Sequence, residues 1–283
     1  MLFWKKSRAK DPKIGLALGG GGAKGLAHIL ALQVFDQLGL RPHRIAGTSI
    51  GAIFGALYAS GMSAREVEEG VRAVVISEGD SFRAAIEQRK PFKAIKLFDL
   101  NFGSRAIFKG DKFIEFLFEM IGVSDFSELQ IPLRVVATDF WTAEKVVISE
   151  GDLMQAVRAS MALPGVFLPV EKDGRVLIDG GAVDPLPYDL LDDCDLLVAV
   201  DVMGLMNDPE GEPPNLFRAI SGTFDIMQKS IIAGNIAARP PDIYIQPRIT
   251  NVNILDFFKL ETIYEQSRPA QEELRRRLEE LLG

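Results

Sequence analysis

The stretch IGLALGGGGAKGLAHILALQVFDQLG, residues 14–39, and the following RPHRIAGTSIGAIFGALYASG, residues 41–61, predict two consecutive strand–loop–helix units. The first unit has a strand at Ile14–Leu18, four glycines, and a helix at Lys24–Leu38 with apolar residues at helical spacing. The second has a strand at Arg41–Ala46, a turn rich in small residues, and an uncharged helix. Because strands that alternate with helices build parallel sheets covered on both faces, we predict a three-layer α/β/α fold with a mostly parallel central sheet.

The rest of the chain continues in the same alternating style. Further strands are predicted at Leu133–Thr138, Val146–Ile148, Arg175–Ile178, Leu196–Asp201 and Ile243–Gln246, and helices at Asp111–Ile121, Leu153–Met161, Asn215–Ile236 and Pro269–Leu282. We predict a catalytic core over residues 13–203, a C-terminal part over residues 204–283 that completes the same domain, and a basic N-terminal extension over residues 1–12. Residues 204–215, rich in Pro, Gly and acidic residues, are expected to form an exposed loop.

Composition restricts the chemistry that the protein can perform. The 283 residues include one Cys and two His, too few for a disulfide framework or a zinc site of Cys and His ligands. The formal net charge of −7 argues against nucleic-acid binding through a general positive charge. We therefore expect no metal, no cofactor and no nucleic-acid partner.

Two stretches imitate targeting or membrane segments. Lysines near the N-terminus precede an apolar run, as in a signal peptide, but Gly19–Gly22 interrupt that run. Residues 45–64 carry no charge, yet four glycines and several hydroxyl side chains would make their transfer into lipid marginal. We expect a buried central helix here, and a cytoplasmic protein whose contact with membranes is at most peripheral.

The glycine loop at residues 20–25 matches the pattern GxGxxG between a strand and a helix, the context of dinucleotide binding. That function also needs an acidic residue about 20 positions on, and residues 40–49 contain none. A P-loop would need Ser or Thr directly after Lys24, where the chain has Gly25. The loop therefore predicts either a site where backbone N–H groups bind an anion or oxyanion, or simply a tight turn.

Gly47-Thr48-Ser49-Ile50-Gly51 fits G-x-S-x-G between a predicted strand and helix. In a nucleophile elbow, flanking glycines let strand and helix approach closely enough to present the serine Oγ. The alternative is a helix N-cap serine in a glycine-rich turn. If the sheet is parallel, both loops lie at the carboxyl end of neighbouring strands, which places a serine beside backbone N–H donors, as acyl transfer requires.

A nucleophilic serine needs a base, and neither histidine suits that role. His28 lies inside the first predicted helix and is expected to pack or to support the loop, whereas His43 precedes the serine strand at its opposite end. The remaining candidates are carboxylates at the ends of predicted strands, namely Asp139, Asp179 and Asp201. Asp179 ranks slightly above the other two because two glycines follow it.

Three motifs together resemble the signatures of the patatin-like phospholipase family. They are Gly-Gly-Gly-Ala-Lys-Gly at 20–25, Gly-Thr-Ser-Ile-Gly at 47–51 and Asp-Gly-Gly at 179–181, and the block at 158–169 is also similar to one in bacterial members. The resemblance covers residues 13 to about 203. Thr142-Ala143-Glu144 lacks the glycine expected after the threonine, and residues 204–260 match poorly, which leaves the pocket wall open.

The resemblance implies a Ser–Asp dyad without histidine that hydrolyses acyl esters of lipids. Carried over by position, Ser49 is the nucleophile and Asp179 the proton acceptor. The backbone N–H groups of Gly20, Gly21 and Gly22 form the oxyanion hole. The residues that support these motifs are Lys24, Gly25, Gly47, Gly51, Gly180 and Gly181.

Residues 83–109 combine seven basic and two acidic residues with interleaved aromatic and aliphatic side chains. Such a mixture is typical of a segment that lies on an anionic membrane surface, and the candidate contacts are Lys90, Phe92, Lys93, Lys96 and Phe98. The alternative is a surface excursion whose aromatic residues pack on the core.

The sequence thus predicts a serine hydrolase of the phospholipase A type that cleaves carboxylic ester bonds of phospholipids or related acyl lipids. Two alternatives stay open: a soluble esterase or thioesterase that uses the same dyad, and a lipid-binding regulatory protein with little turnover.

Overall fold

A computed structural model describes residues 12–74, 119, 122–204, 216–257 and 259–283. The described strands form one eight-stranded sheet. They are β1 (Ile14–Leu18), β2 (Arg44–Thr48), β3 (Leu133–Asp139), β4 (Lys145–Ile148), β5 (Val170–Lys172), β6 (Arg175–Asp179), β7 (Leu196–Val200) and β8 (Ile243–Ile245). The described helices are α1 (His28–Gln37), α2 (Ile50–Ala59), α3 (Ala64–Val74), α4 (Leu153–Ser160), α5 (Leu216–Ala238) and α6 (Leu260–Leu282).

The strand order is β5-β6-β3-β2-β1-β7-β8, with β4 also paired to β3. All pairs among β3, β2, β1, β7 and β8 are parallel, whereas β4, β5 and β6 pair antiparallel. Alternate residues of the central strand β1 belong to different hydrophobic clusters. Leu16 and Leu18 share one with residues of α1, α2 and α6, and Ala17 shares the other with Ile232 of α5. Helices therefore cover both faces, and the predicted α/β/α fold with a mostly parallel sheet is confirmed.

The uncharged helix predicted after the serine is α2, and every one of its ten residues is buried. A helix that has no solvent-facing side needs no polar stripe, which explains the absence of charge. Ten residues are half of the roughly 20 that a membrane-spanning helix requires. Throughout the described parts of the chain, no helix is both long and apolar enough to cross a bilayer.

The sheet register brings two strand ends together on β3. β2 runs parallel to β3 and its Thr48 is paired with Val136, whereas β6 runs antiparallel and its Asp179 is paired with Ala137. Because Val136 and Ala137 are consecutive, β2 and β6 point toward each other and end face to face. The residue after Thr48 is Ser49, so the register alone places the serine turn beside Asp179.

The predicted start of the last helix is wrong, and α3 and β5 were not predicted from the sequence. The predicted start was Pro269, but α6 begins at Leu260 and contains Pro269 in its interior. An interior proline costs about 3 kcal/mol because a helical hydrogen bond is lost. Here Pro269 is exposed, so water can hydrate the free carbonyl, and the first turns bury Leu260 and Ile263 in the core.

Several predictions fall on residues that the structure does not describe. They are the N-terminal extension 1–12 apart from Pro12, the basic segment 83–109 with its candidate contacts, the helix at Asp111–Ile121 apart from Glu119, and the loop 204–215 apart from Gly204. The division into residues 13–203 and 204–283 stays a prediction.

Candidate active site

Ser49 occupies the sharp turn between β2 and α2. Its backbone has φ 55° and ψ −126°, a conformation that a serine rarely adopts. The Ser49 N–H donates to Ser160 Oγ at 2.8 Å, a contact that holds the strained peptide in place. Ser49 Oγ makes no capping bond to α2. Ser49 therefore stands at the N-cap position of α2 without capping the helix through its side chain, and its hydroxyl bonds elsewhere.

The glycines around this turn are required by close packing. A Cβ on Gly51 would lie 2.1 Å from the carbonyl oxygen of Leu18 in β1, and one on Gly47 would lie 2.6 Å from the Gly51 oxygen. A Cβ on Gly25 would lie 2.3 Å from Ile50 Cγ2. Real Cβ atoms do not approach so closely, so these three positions let the two loops and α2 converge on the serine.

Asp179 and Ser49 form a hydrogen-bonded pair. Ser49 Oγ donates to Asp179 Oδ2 at 2.7 Å, and the Gly181 N–H donates to Asp179 Oδ1 at 2.7 Å. The aspartate side chain is therefore fixed at both oxygens. Asp179 is only 2% exposed, and burial raises its pKa from the ordinary 3.8 to about 6, against the opposing effect of the two hydrogen bonds.

The two glycines after Asp179 allow the chain to turn directly above β3. A Cβ on Gly180 would lie 2.2 Å from the carbonyl oxygen of Val136, the β3 residue that pairs with the last residue of β2. A Cβ on Gly181 would lie 2.3 Å from Nε2 of Gln228, which reaches over from α5. A side chain at Gly180 would therefore clash with the backbone of β3, and one at Gly181 would crowd both Gln228 and Asp179.

The other two strand-end carboxylates have structural roles. Asp139 Oδ1 accepts a hydrogen bond from the Trp141 N–H at 3.0 Å and closes the turn after β3. Asp201 Oδ2 accepts a hydrogen bond from the Tyr244 hydroxyl at 2.6 Å. Of the three carboxylates that the sequence left open, the fold brings Asp179 alone to the serine.

Neither histidine contacts the serine. His28 is fully buried and its Nε2 donates to the carbonyl oxygen of Gly19 at 2.8 Å, so it supports the glycine loop as expected. Burial lowers the pKa of His28 to about 4, which keeps the ring neutral. His43 is exposed just before β2, at the end of that strand opposite Ser49.

The glycine loop offers fewer donors than the sequence suggested. The Gly20 N–H donates to the carbonyl oxygen of Pro185 at 2.9 Å, which leaves it unavailable to an oxyanion. Within the described residues, the N–H groups of Gly21 and Gly22 have no acceptor. Gly20 instead lies beside the serine, since a Cβ built on Gly20 would be 3.5 Å from the Cβ of Ser49.

Lys24 is buried and does not point toward a ligand. Its Nζ donates to the carbonyl oxygen of Met203 at 2.7 Å and pairs with Asp225 of α5 at 3.2 Å. The side chain thus ties the glycine loop to α5, and a phosphate-binding role for this lysine does not fit.

A pocket lies over the pair. Besides Ser49, Asp179 and the glycines, its walls are mainly apolar and come from three segments: Met161, Leu163, Val166 and Phe167; Phe224, Asp225 and Gln228 of α5; and Ile254, Leu255 and Phe257. The last two segments lie within residues 204–260, where the sequence matches the family poorly and did not predict the pocket wall. Sequence reasoning also missed Ser160, which lies in the block at 158–169, and Gln228, which carries no local signal.

These features define a class of α/β protein in which a serine on a strained strand-to-helix turn bonds a buried strand-end aspartate, beside a glycine loop and without a histidine partner. The chain belongs to the patatin-like phospholipase family, whose family model matches residues 16–192.

Relatives share much of this chain but extend beyond it. An uncharacterized NTE family protein of Mycobacterium bovis is 32% identical over 229 residues, covering 77% of this chain and 59% of the relative. The neuropathy target esterase of Drosophila melanogaster is 33% identical over 193 residues, covering 67% of this chain and 13% of the relative. This chain thus spans about three fifths of the mycobacterial relative. The crystal structure of VipD from Legionella pneumophila aligns with a TM-score of 0.48 and 14% identity, covering 94% of this chain and 68% of VipD.

Proposed function

We propose that this protein is a lipid acyl hydrolase that cleaves carboxylic ester bonds of phospholipids or related acyl lipids. Membership of the patatin-like phospholipase family supports this class of activity. The observation that carries the proposal is the 2.7 Å hydrogen bond from Ser49 Oγ to the buried carboxylate of Asp179, at the base of an apolar pocket.

In the first half-reaction, Asp179 accepts the Ser49 proton while Ser49 Oγ attacks the ester carbonyl carbon. The proton then passes to the leaving alcohol as the ester C–O bond breaks, and an acyl group stays on Ser49. A solvent-exposed aspartate would be a weak base for this step. The raised pKa of about 6 lies closer to neutral pH than the ordinary aspartate value, and a general base works best when its pKa is near the operating pH.

The negative charge of the tetrahedral intermediate needs preorganised donors. The N–H groups of Gly21 and Gly22 are proposed to serve as this oxyanion hole, because they lie at the pocket and lack other acceptors among the described residues. The N-terminal end of α2 begins directly after Ser49 and adds its positive dipole.

In the second half-reaction, water attacks the acyl carbonyl carbon and gives its proton to Asp179. The bond to Ser49 Oγ breaks, Ser49 recovers the proton, and a fatty acid leaves. The apolar walls of the pocket suit an acyl chain. Because α5 and residues 254–257 supply part of those walls, residues 204–283 are proposed to belong to the same catalytic unit as residues 13–203.

The mechanism predicts an acid limb in the pH dependence. Protonated Asp179 cannot accept the Ser49 proton, so kcat/KM should fall about tenfold per pH unit below a midpoint near pH 6. Initial rates of p-nitrophenyl ester hydrolysis between pH 4.5 and 8 measure this limb, and circular dichroism over the same range checks that the protein stays folded. A flat profile, or a midpoint near the ordinary aspartate pKa of 3.8, would contradict the role of Asp179.

A substrate panel separates the proposed function from its alternatives. We expect release of fatty acid from phospholipid vesicles, with a preference for long acyl chains over short p-nitrophenyl esters and acyl thioesters. Efficient turnover of short soluble esters alone would favour the soluble esterase. Binding of lipid with no release of fatty acid, and no labelling of Ser49 by a fluorophosphonate, would favour the regulatory lipid-binding protein.

A further inference from the structure

Gln228 of α5 is a polar side chain at the site that the mechanism above leaves unused. It is 5% exposed and lines the pocket together with Ser49 and Asp179. Within the described part of the chain, its carboxamide makes no hydrogen bond to any residue. Its amide atoms are accessible from the pocket, so a water or a ligand there can form hydrogen bonds with them.

The carboxamide lies beside the proposed base. A Cβ built on Gly181 would be 2.3 Å from Gln228 Nε2 and 2.9 Å from Asp179 Oδ1, so these two atoms are no more than 5.2 Å apart. No direct hydrogen bond joins them. Two hydrogen bonds of about 2.8 Å through one water would span such a gap. The other amide atom, Oε1, points toward Gly20 and the side of the pocket where Ser49 lies.

The surroundings hold Gln228 in this place. Asp225, which precedes it by three residues on α5, is paired at 3.2 Å with the buried Lys24 of the glycine loop. Gly181 has no side chain, so the amide can approach Asp179. The part of α5 that carries Gln228 is therefore held beside the glycine loop before any substrate binds.

We propose that Gln228 positions the water that hydrolyses the acyl-enzyme, an inference that rests on the proposed function. One hydrogen of the water is directed to Asp179, which accepts it as a proton. Gln228 Nε2 donates a hydrogen bond to one lone pair of the water oxygen, which leaves the other lone pair aimed at the acyl carbon. The new carbon–oxygen bond forms, the bond to Ser49 Oγ breaks, and Ser49 takes the proton from Asp179. Gln228 is a positioning residue and has no part in acylation.

Gln228→Met tests this role because it keeps the length of the side chain and removes both polar atoms. With a p-nitrophenyl ester, we expect the burst of p-nitrophenol that reports acylation to stay within about twofold of wild type. The steady-state rate should fall about 10- to 100-fold, because the water that attacks the acyl-enzyme would no longer be held in position. Mass spectrometry should then find Ser49 largely acylated during turnover, a signature that a merely structural role would not produce.

Two further variants keep the test decisive. Gln228→Asn withdraws the amide by one methylene and should show the same pattern if Gln228→Met fails to fold. Met227→Ala, at a position on the same helix that is 55% exposed, should leave both phases unchanged. Equal slowing of the burst and the steady state, or an unchanged steady state, would refute the role of Gln228. A wild-type protein that neither hydrolyses esters nor labels at Ser49 would instead refute the proposed function.

Discussion

Ser49→Ala is expected to lower ester and phospholipid hydrolysis by at least about 10⁴-fold, because removal of the nucleophile from a catalytic unit abolishes the covalent path. Ser49 Oγ is the atom that Asp179 Oδ2 contacts at 2.7 Å, and the described residues place no other hydroxyl against that carboxylate oxygen. Released fatty acid measures turnover, and a fluorophosphonate probe should label wild type at Ser49 and leave the variant unlabelled.

The matched control for this loss is Ser60→Ala. Ser60 follows the end of α2, the helix that Ser49 precedes, and its hydroxyl donates only to the Leu57 carbonyl oxygen at 2.7 Å. This variant should retain turnover and labelling within about twofold, since one such hydrogen bond contributes only about 0.5–1.5 kcal/mol of stability. Turnover near the wild-type level in Ser49→Ala, with a folded protein, would remove Ser49 as the nucleophile.

Asp179→Asn should have opposite effects on activity and stability. Loss of the base is expected to lower kcat by about 10²–10⁴-fold. The raised pKa means that folding favours the protonated, neutral form, so ionisation of wild-type Asp179 costs stability as pH rises from about 4 through about 6. An asparagine, neutral at all pH, should raise the free energy of unfolding at pH 7.5 by about 1–3 kcal/mol.

Urea unfolding at pH 7.5 and at pH 4.5 measures this trade-off, and the gain should shrink at the lower pH because wild-type Asp179 is then largely protonated as well. Asp139→Asn is the control, since Asp139 also ends a strand and is 5% exposed but bonds its own turn. It should keep activity within about tenfold. A destabilised Asp179→Asn at pH 7.5, or one with near wild-type turnover, would contradict the assignment.

Local sequence predicted much of the fold because its signals act over short distances. The strand at Ile14–Leu18, the buried uncharged helix α2 and the glycine turn around Ser49 each depend on neighbouring residues, and all are present. The antiparallel strands at the sheet edge were harder to foresee, since the direction of a short strand such as β5 is decided by its pairing partner.

In the candidate site, too, some features depend on neighbouring residues and others on contacts between distant segments. The sequence predicted Ser49 as the nucleophile and left three strand-end carboxylates as candidates for its base, since both histidines lie at unsuitable positions. Local patterns ranked Asp179 only slightly above the other two, because Ser49 and Asp179 lie 130 residues apart. The resemblance to the family's Asp-Gly-Gly motif singled out Asp179. Only the register, with β2 and β6 meeting end to end on β3, brings these two side chains together.

By itself, the sequence determined the α/β alternation, the glycine positions and the serine turn, because steric limits and periodicity act within a few residues. The tertiary structure decided which carboxylate contacts Ser49 and how Gln228 reaches the pocket from α5. It also decided that the Gly20 N–H donates its hydrogen bond to the carbonyl oxygen of Pro185. Each of these depends on contacts between segments far apart in the chain, and no local pattern of residues records how strands pair or where a distant helix packs.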